Sequence, residues 1–220
     1  MEAIRALVVA KRSAPSAKIK SLNQIRHLSY AGPDQLRERL KGVSRQHLAA
    51  RAAALRPSQR EGADPVMTAT KTALRILGRR VLALDEEKAR IDALLSELVT
   101  QTAPDLLTLH GVGVDTAASL LVTAGDNPGR LRSEAAWAHL CGTAPIPASS
   151  GKVTRWRLNR GGDRQANRAL WGVVITRLRN DPRTQAYMAR RLAEGRSKPE
   201  VIRILKRYVA REVYHRLPRP

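Results

Sequence analysis

The chain has 220 residues, with 40 Lys and Arg against 19 Asp and Glu, and a formal net charge of +21. The single cysteine, Cys141, excludes a disulfide framework and a cysteine-based zinc site. No apolar run of about 18 residues is present to span a bilayer, and a polyanion is the usual partner of so large a positive charge. The composition therefore predicts nucleic-acid binding and no membrane.

The charge is segregated along the chain. Residues 1–60 carry a net charge of +10, residues 61–151 a net charge of −3, and residues 152–220 a net charge of +14. Two basic ends separated by a weakly acidic middle favour dedicated binding surfaces over charge spread evenly for solubility. Aromatic residues make up only 3% of the chain and Phe is absent, which argues against a module that reads bases by aromatic stacking.

The first sixty residues are predicted to be helical. Apolar residues recur at helical spacing from Ile4 to Ile25, and the run ends at the Gly-Pro-Asp sequence of 32–34. A second helix is predicted through Leu36 and Leu40, and a third is predicted to start at the N-cap Ser44. Residues 56–65 read as a polar loop.

The strongest periodicity lies in residues 66–99, where nine positions alternate by four and three residues. We call these nine positions the heptad seam: Thr70, Leu74, Leu77, Val81, Leu84, Lys88, Ile91, Leu95 and Leu98. The pattern predicts a long helix with a coiled coil at about 66–100. A helical hairpin or a partner chain is one reading, and an amphipathic helix packed within its own protomer is the other. Lys88 would weaken the seam and help to fix its register.

Residues 106–121 have the pattern of a helix-hairpin-helix. Gly111 and Gly113 would let the backbone approach a phosphate, and Ala117 would let two helices pack closely. Backbone N–H groups at the start of the second helix would face the anion. Such a motif contacts the backbone of a duplex rather than its bases. The other reading is a structural turn without DNA contact.

The basic C-terminal third is predicted to be helical as well. Helices are expected at 135–140, at 166–178 as a buried helix carrying Trp171 and Val174, and at 183–192. Ser197 and Glu200 form a capping box for a final helix. No strand is predicted, so the fold class is mainly α. The candidate nucleic-acid-binding residues are Gly111, Gly113, Lys152, Arg155, Arg157, Arg160, Arg164, Arg168, Arg203 and Arg207.

Chemistry from the residues alone points to hydroxyl groups. The five histidines are scattered without the spacing of metal ligands, and Asp115, Asp126 and Glu134 read as caps and turn residues. Ser149 and Ser150 precede the arginine-rich stretch in a small, flexible loop. A serine that attacks a phosphodiester needs an exposed hydroxyl and nearby cations. A plain Ser-Ser-Gly linker remains the alternative.

About half of the chain, in order, resembles the IS110 (IS116/IS110/IS902-type) family of insertion-sequence transposases. The resemblance rests on short motifs at 109–113, 136–145, 148–152, 157–164, 167–170, 190–195 and 205–208. It implies a helical connecting region with its coiled coil at 1–103. It also implies a C-terminal transposase domain at 104–220 that contains the helix-hairpin-helix and the serine loop.

The resemblance also implies an activity. Members are recombinases that excise and insert DNA, guided by a structured RNA, and they combine a RuvC-like domain that binds divalent metal with a nucleophilic serine. That serine corresponds to Ser150, with Ser149 as the fallback. The RuvC-like domain would precede Met1, so we expect a truncated chain that holds no cofactor itself and is incomplete as an enzyme.

The implied partners are DNA, a guide RNA and a second copy of the chain through the coiled coil. The implied location is the bacterial cytoplasm, at the nucleoid. Two other functions stay open: a non-catalytic remnant that binds DNA or RNA, and a coiled-coil scaffold.

Overall fold

The computed structural model describes residues 1–58, 60, 62–125, 131–149, 153 and 155–218, and it is mainly helical. This confirms the predicted fold class. In chain order the helices and strands of the described residues are α1 Glu2–Ala31, α2 Asp34–Leu40, α3 Arg45–Ala53, α4 Pro65–Thr102, α5 Pro104–Leu107, α6 Val114–Ala124, α7 Glu134–Leu140, β1 Ile146–Pro147, β2 Trp156–Arg157, α8 Arg164–Asn180, α9 Pro182–Ala193 and α10 Lys198–Tyr214.

The chain forms two compact units, Val9–Ala93 and a second made of Met1–Val8 with Leu94–Pro220. The sequence boundary between 103 and 104 stays a prediction. None of the helices in the described residues is long and apolar enough to cross a membrane.

The core of the Val9–Ala93 unit lies where α1, α2, α3 and α4 meet. Ile25, Leu36, Leu55, Leu74 and Val81 are almost fully buried in one cluster there. Burial of such side chains stabilises a fold by about 1.5–3 kcal/mol each. The cluster therefore shows why four helices with modest apolar faces hold together.

Two ion pairs show that α1 and α4 run antiparallel. Lys18 binds both carboxylate oxygens of Asp85, at 2.6 and 2.8 Å. Seven residues earlier on α1, Lys11 pairs with Asp92, which lies seven residues later on α4. The two helices therefore form a hairpin within this unit.

Gly78 explains how α4 can lie close to α3. A Cβ at this position would stand 2.5 Å from the backbone nitrogen of Ala53 and 2.6 Å from the carbonyl oxygen of Ala49. Only a residue without a side chain allows this approach. The one glycine of the heptad region is therefore a helix-crossing point.

The heptad seam is partly used inside the chain. Leu74, Val81 and Leu95 are buried, whereas Lys88 stays half exposed and binds Asp92 at 2.5 Å. The long helix is confirmed at α4, and the packing of Leu74 and Val81 is internal. A coiled coil with a second chain stays a prediction.

The second unit is organised around α8. This helix packs against α6, α9 and α10, and α10 also packs against α7. Val173 and Val174 of α8, Leu120 of α6, Trp137 of α7 and Val213 of α10 have no exposed surface. Trp171, predicted to be buried on α8, is instead 48% exposed. That prediction was wrong, because Trp171 lies on the outer face of the helix.

Side-chain caps fix where α7, α8 and α10 begin. Ser133 accepts a hydrogen bond from the Ala136 N–H, and Asp163 accepts hydrogen bonds from the N–H groups at the start of α8. The predicted capping box of α10 is confirmed, since the Glu200 carboxylate accepts from the Ser197 N–H at 2.9 Å. Hydrogen bonds from Ser197 lower the pKa of Glu200.

Candidate nucleic-acid interface

A short hairpin positions the serine loop. Pro147 of β1 pairs with Trp156 of β2, and the Ala148 N–H donates to the carbonyl oxygen of Arg155 at 2.9 Å. The sequence did not predict these strands, because two residues each give no periodic signal. The hairpin closes the neck of the loop and carries Arg155 and Arg157, both exposed, on its returning side.

The hydroxyl of Ser149 takes part in closing this neck. Its Oγ accepts a hydrogen bond from the Arg155 N–H at 3.1 Å and lies 3.4 Å from the Arg155 carbonyl oxygen, to which it donates. Ser149 is thus engaged with the backbone across the hairpin. Ser150 and Lys152, the other predicted residues of this loop, lie outside the described residues.

The next motif, 157–164, docks onto the end of α7. The Asn159 side-chain amide donates to the His139 carbonyl at 2.9 Å, and the Asp163 N–H donates to the Leu140 carbonyl at 2.7 Å. The Gly161 N–H in turn donates to Asn159 Oδ1 at 3.0 Å. The last carbonyl groups of α7 have no hydrogen-bond partners within the helix. The loop supplies N–H donors to them, so the hydrogen-bonding groups of the loop and of the helix end are paired.

Two glycines bring the same loop against the turn after α7. A Cβ on Gly162 would stand 2.3 Å from the backbone nitrogen of Gly142, which itself has a φ of +63°. The side-chain amide of Asn167 donates to the carbonyls of Cys141 and Gly142, at 2.9 and 3.1 Å. Burial raises the pKa of the Cys141 thiol, so this cysteine stays protonated and unreactive.

These contacts build the floor of a surface pocket of about 380 Å³. Eight residues line it. We call the exposed ones its rim and the half-buried ones its floor: the rim is Arg160, Arg164, Arg168 and Trp171, and the floor is Gly142, Asn159, Gly162 and Asn167. A neighbouring pocket of about 490 Å³ shares Arg160 with it and adds Arg157 and Leu158. We call the first the arginine pocket.

The arginine pocket is strongly cationic. Among the described residues, no carboxylate pairs with Arg160, Arg164 or Arg168. Behind the floor, the half-buried ammonium group of Lys206 donates to Asn167 Oδ1 at 2.8 Å. Burial, with the nearby charge of Arg203, lowers the pKa of Lys206. A concave site with this charge attracts anions such as phosphates.

The glycine turn 111–113 lies between α5 and α6. Gly111 has a φ of +82°, and a Cβ there would meet the Val173 carbonyl oxygen at 3.3 Å, so this glycine lets the turn rest on α8. Gly113 is the N-cap of α6 and has open space around it. Of the two predicted glycines, only Gly113 presents an unobstructed backbone. Phosphate contact at either stays a prediction.

Arg177 holds this turn in place. Its Nε donates to the His110 carbonyl at 2.9 Å, and its two terminal nitrogens bind Glu212 at 3.1 and 2.7 Å. Its side chain is only 12% exposed. The contact thus ties the turn to α8 and α10. The sequence does not predict this role of Arg177, since nothing in the pattern distinguishes Arg177 from its neighbouring arginines.

The two predicted residues of α10 differ in their surroundings. Arg203 is exposed, whereas Arg207 lies 2.5 Å from Glu134, which also accepts from Arg211 at 3.1 Å. The pair with Glu134 gives Arg207 a part in holding α10 against α7. Its charge is accordingly less available than that of Arg203.

Comparison with known proteins identifies related sequences. Residues 103–189 match the model described as Transposase IS116/IS110/IS902 family. Over 134 residues the chain is 32% identical to "Insertion element IS110 uncharacterized 43.6 kDa protein" of Streptomyces coelicolor and 29% identical to "Insertion element IS900 uncharacterized 42 kDa protein" of Mycobacterium paratuberculosis. Each match covers 60% of this chain, and it covers 33% and 34% of the two relatives, respectively. The match thus spans about a third of the length of each curated relative.

Proposed function

We propose, on the premise that residues 103–189 match the IS116/IS110/IS902 family of transposases, that the protein binds DNA and acts in the strand cleavage and exchange of transposition. The observation that carries the proposal is the cationic surface that follows the serine loop. Arg155 and Arg157 stand on the hairpin, and Arg160, Arg164 and Arg168 follow on the rim of the arginine pocket. This surface supplies the charge that a DNA backbone needs.

We propose Ser150 as the nucleophile, with Ser149 as the fallback. The Ser149 hydroxyl is hydrogen-bonded to Arg155 across the neck of the hairpin, so its attack on a phosphate would require breaking that closure. This favours Ser150, the next residue in the loop. Arg155, whose backbone contacts the Ser149 hydroxyl, would supply positive charge to stabilise the phosphorane.

The proposed step exchanges one phosphoester bond for another. The serine Oγ forms a bond to phosphorus, and the bond from phosphorus to a deoxyribose oxygen breaks. The proton of the serine hydroxyl is lost as the leaving oxygen becomes a hydroxyl group, so charge and atoms balance. The product is a DNA strand covalently joined to the protein through phosphoserine.

Among the described residues, no group of three His, Cys, Asp or Glu side chains is placed to hold a metal ion. A divalent ion bound by a RuvC-like domain, as the family resemblance implies, would act beside the serine from outside these residues.

The decisive experiment traps the covalent intermediate. The chain is incubated with DNA of the matching element ends, its RNA and the RuvC-like domain of the family supplied in trans, and adducts are separated on denaturing gels. Wild type and Ser149→Ala should form an adduct, and Ser150→Ala should form none. Adduct formation by Ser150→Ala equal to that of wild type would show that the nucleophile is assigned wrongly.

A non-catalytic nucleic-acid-binding role is the second candidate. It is favoured by one observation: Asn159, Gly162 and Asn167 in the family-like motifs are engaged with the backbone of the α7 turn, as scaffold residues are. It predicts tight binding with a steep dependence on salt and no adduct under any complementation. The trapping experiment therefore separates the two functions.

A guide RNA and a second copy of the chain are the partners we propose in addition. The basic residues provide the charge for RNA, and the exposed positions on α4, including Ile76 and Leu94, provide apolar surface beside the seam. Sedimentation of the chain with and without the RNA of the matching element measures both. A chain that sediments as a monomer and does not bind the RNA would contradict both proposed partners. The proposal of DNA binding would not be affected.

A further inference from the structure

We propose that the arginine pocket takes one unpaired nucleotide of a DNA strand, with its base against Trp171 and its phosphate among Arg160, Arg164 and Arg168. The inference rests on the proposed nucleic-acid binding and goes beyond it, because it assigns a nucleotide subsite to a residue outside the serine loop. Trp171 is the residue that the sequence placed in the core.

The placement of Trp171 is the first observation. Arg164, Arg168 and Trp171 follow each other at helical spacing of four and three residues, so α8 presents all three on one face, and all three line the pocket. An indole that is 48% exposed leaves a large apolar surface in water. Bases stack on such surfaces whatever their sequence, because every base has a π face.

The shape of the pocket favours a single nucleotide over a duplex. Its volume of about 380 Å³ lies within the range of about 300–1,000 Å³ that holds small molecules. Duplex phosphates are contacted by cations on open surfaces and need no cavity. A cavity with an aromatic wall and a cationic rim matches the two halves of one nucleotide, an apolar base and an anionic phosphate.

The floor of the pocket predicts tolerance for any base. Both amide groups that line it are occupied within the protein. Asn159 bonds His139 and Gly161, and Asn167 bonds Cys141, Gly142 and Lys206. The nitrogen and the oxygen of both amides are thus engaged within the protein, so neither side chain is free to turn and pair with the edge of a base as an unbound Asn side chain does. Recognition would then come from stacking and charge alone.

The floor is also rigid. Gly162 lies directly on the backbone of Gly142, and the Asn167 amide bridges two successive carbonyls of the same turn. A preorganised site loses less conformational freedom on binding. The backbone that carries Arg160 is therefore held against the α7 turn before any strand arrives.

The test compares the affinity of the chain for a strand that carries bases with its affinity for a strand that lacks them. The full chain is titrated into fluorescently labelled strands of five thymidine nucleotides and into abasic strands of the same phosphate count. Wild type should bind the thymidine strand about tenfold more tightly, the size of one stacking contact. Strands of adenosine or cytidine nucleotides should bind within about threefold of the thymidine strand, because the amides are occupied.

Substitutions assign that preference to Trp171. Trp171→Leu should bind thymidine and abasic strands equally and keep its affinity for the abasic strand, whereas Trp171→Phe should retain most of the preference. Trp156→Leu is the matched control, since this indole is 62% exposed on the hairpin and does not line the pocket. Its preference should equal that of wild type.

Three outcomes decide the proposal. Equal binding of the two strands by wild type overturns it without any variant, and so does a preference that survives in Trp171→Leu. A uridine strand that binds at least as tightly as thymidine assigns the nucleotide to RNA and overturns the assignment to DNA. Absence of the base preference in wild type, with intact Ser150-dependent adducts, would overturn this inference alone, and absence of adducts with an intact preference would overturn only the proposed chemistry.

Discussion

Gly162 lies against Gly142 so closely that a Cβ on residue 162 would stand 2.3 Å from the Gly142 nitrogen and 3.0 Å from the Leu140 carbonyl oxygen. The atoms in the way are backbone atoms, which cannot rotate aside. The motif 157–164 therefore contains glycine at this position for a steric reason. The contact sets where Arg160 and Arg164 stand relative to the α7 turn.

We predict that Gly162→Ala destabilises the chain by about 3 kcal/mol, because the loop must lift off the turn to admit a methyl group. It should also weaken nucleic-acid binding by moving Arg160. Gly161→Ala is the matched control, since its Cβ would find its nearest neighbour at 3.7 Å. Urea unfolding measures both variants, and equal stabilities would contradict the contact.

A second glycine pair separates helix propensity from packing. Gly78 of α4 and Gly172 of α8 both lie inside helices, where Ala is intrinsically favoured by about 1 kcal/mol. Gly172 has open space where a Cβ would be, whereas Gly78 abuts the backbone of α3. We predict that Gly172→Ala stabilises the protein by about 0.5–1 kcal/mol and that Gly78→Ala destabilises it by about 2 kcal/mol. Thermal unfolding measures the sign of each change in stability. A stabilising Gly78→Ala would mean that α3 and α4 lie farther apart than the structure places them.

The sequence predicted the long elements because their signals are local. The seam residues gave α4, the break at 32–34 separated α1 from α2, and Ser197 with Glu200 gave the start of α10. Each signal depends on spacing within one element. The structure confirms each of these boundaries to within a residue or two.

The arginine pocket could not be predicted, because it depends on contacts between distant elements. Nothing in the spacing shows that Gly162 meets Gly142 or that Lys206 reaches Asn167. The sequence predicts a buried helix over 166–178 that carries Trp171 and Val174. The helix in fact turns Leu170 and Val173 inward and leaves Trp171 outside. The sequence shows the arginines as a charge pattern. It does not show which of them form ion pairs.

Removal of Arg177 should release the glycine turn. Arg177→Ala loses the bond to the His110 carbonyl and the bidentate contact with Glu212, at an expected cost of about 2 kcal/mol. The stability of Arg177→Lys should lie between those of wild type and Arg177→Ala, since a single ammonium group cannot make both contacts. Arg183→Ala, an exposed residue of α9, should change stability by less than about 0.5 kcal/mol. An Arg177→Ala variant as stable as Arg183→Ala would contradict the role of this contact.

The ion pairs of Asp92 make a predictable contribution to acid stability. Hydrogen bonds from Lys11 and then Lys88 hold the pKa of Asp92 below its usual value of 3.8. A carboxyl group with a depressed folded pKa contributes stability above its unfolded pKa and loses that contribution as the pH falls through the folded value. Because the site is partly exposed, the contribution should stay below about 1 kcal/mol.

The comparison of wild type with Asp92→Asn tests that sign. The difference in free energy of unfolding should be constant above about pH 5 and should shrink as the pH falls below 3.8. Glu86→Gln, which removes an exposed carboxylate on the same helix, is the matched control for the change of a carboxylate to an amide. A difference that grows toward acid pH would have the wrong sign for an ion pair.

The arginine pocket should account for a defined part of the salt dependence of binding. Each phosphate contact made by a cation adds about 0.7 to the slope of log K against log salt concentration for a single strand and about 0.9 for duplex DNA. On a single strand, Arg164→Gln and Arg168→Gln should therefore each lower the slope by about 0.7, and the double variant by about 1.4. Both charges lack a carboxylate partner among the described residues, so removing either should leave the fold intact.

Arg179→Gln makes the same charge change near the other end of α8, away from the pocket. It should leave the slope unchanged within about 0.3, because phosphate contacts act locally whereas net charge acts over the whole molecule. A slope that falls equally in all three single variants would show that binding follows net charge alone. A fall confined to Arg164 and Arg168 would locate the phosphates at the pocket, where α8 presents these side chains on the same face as Trp171.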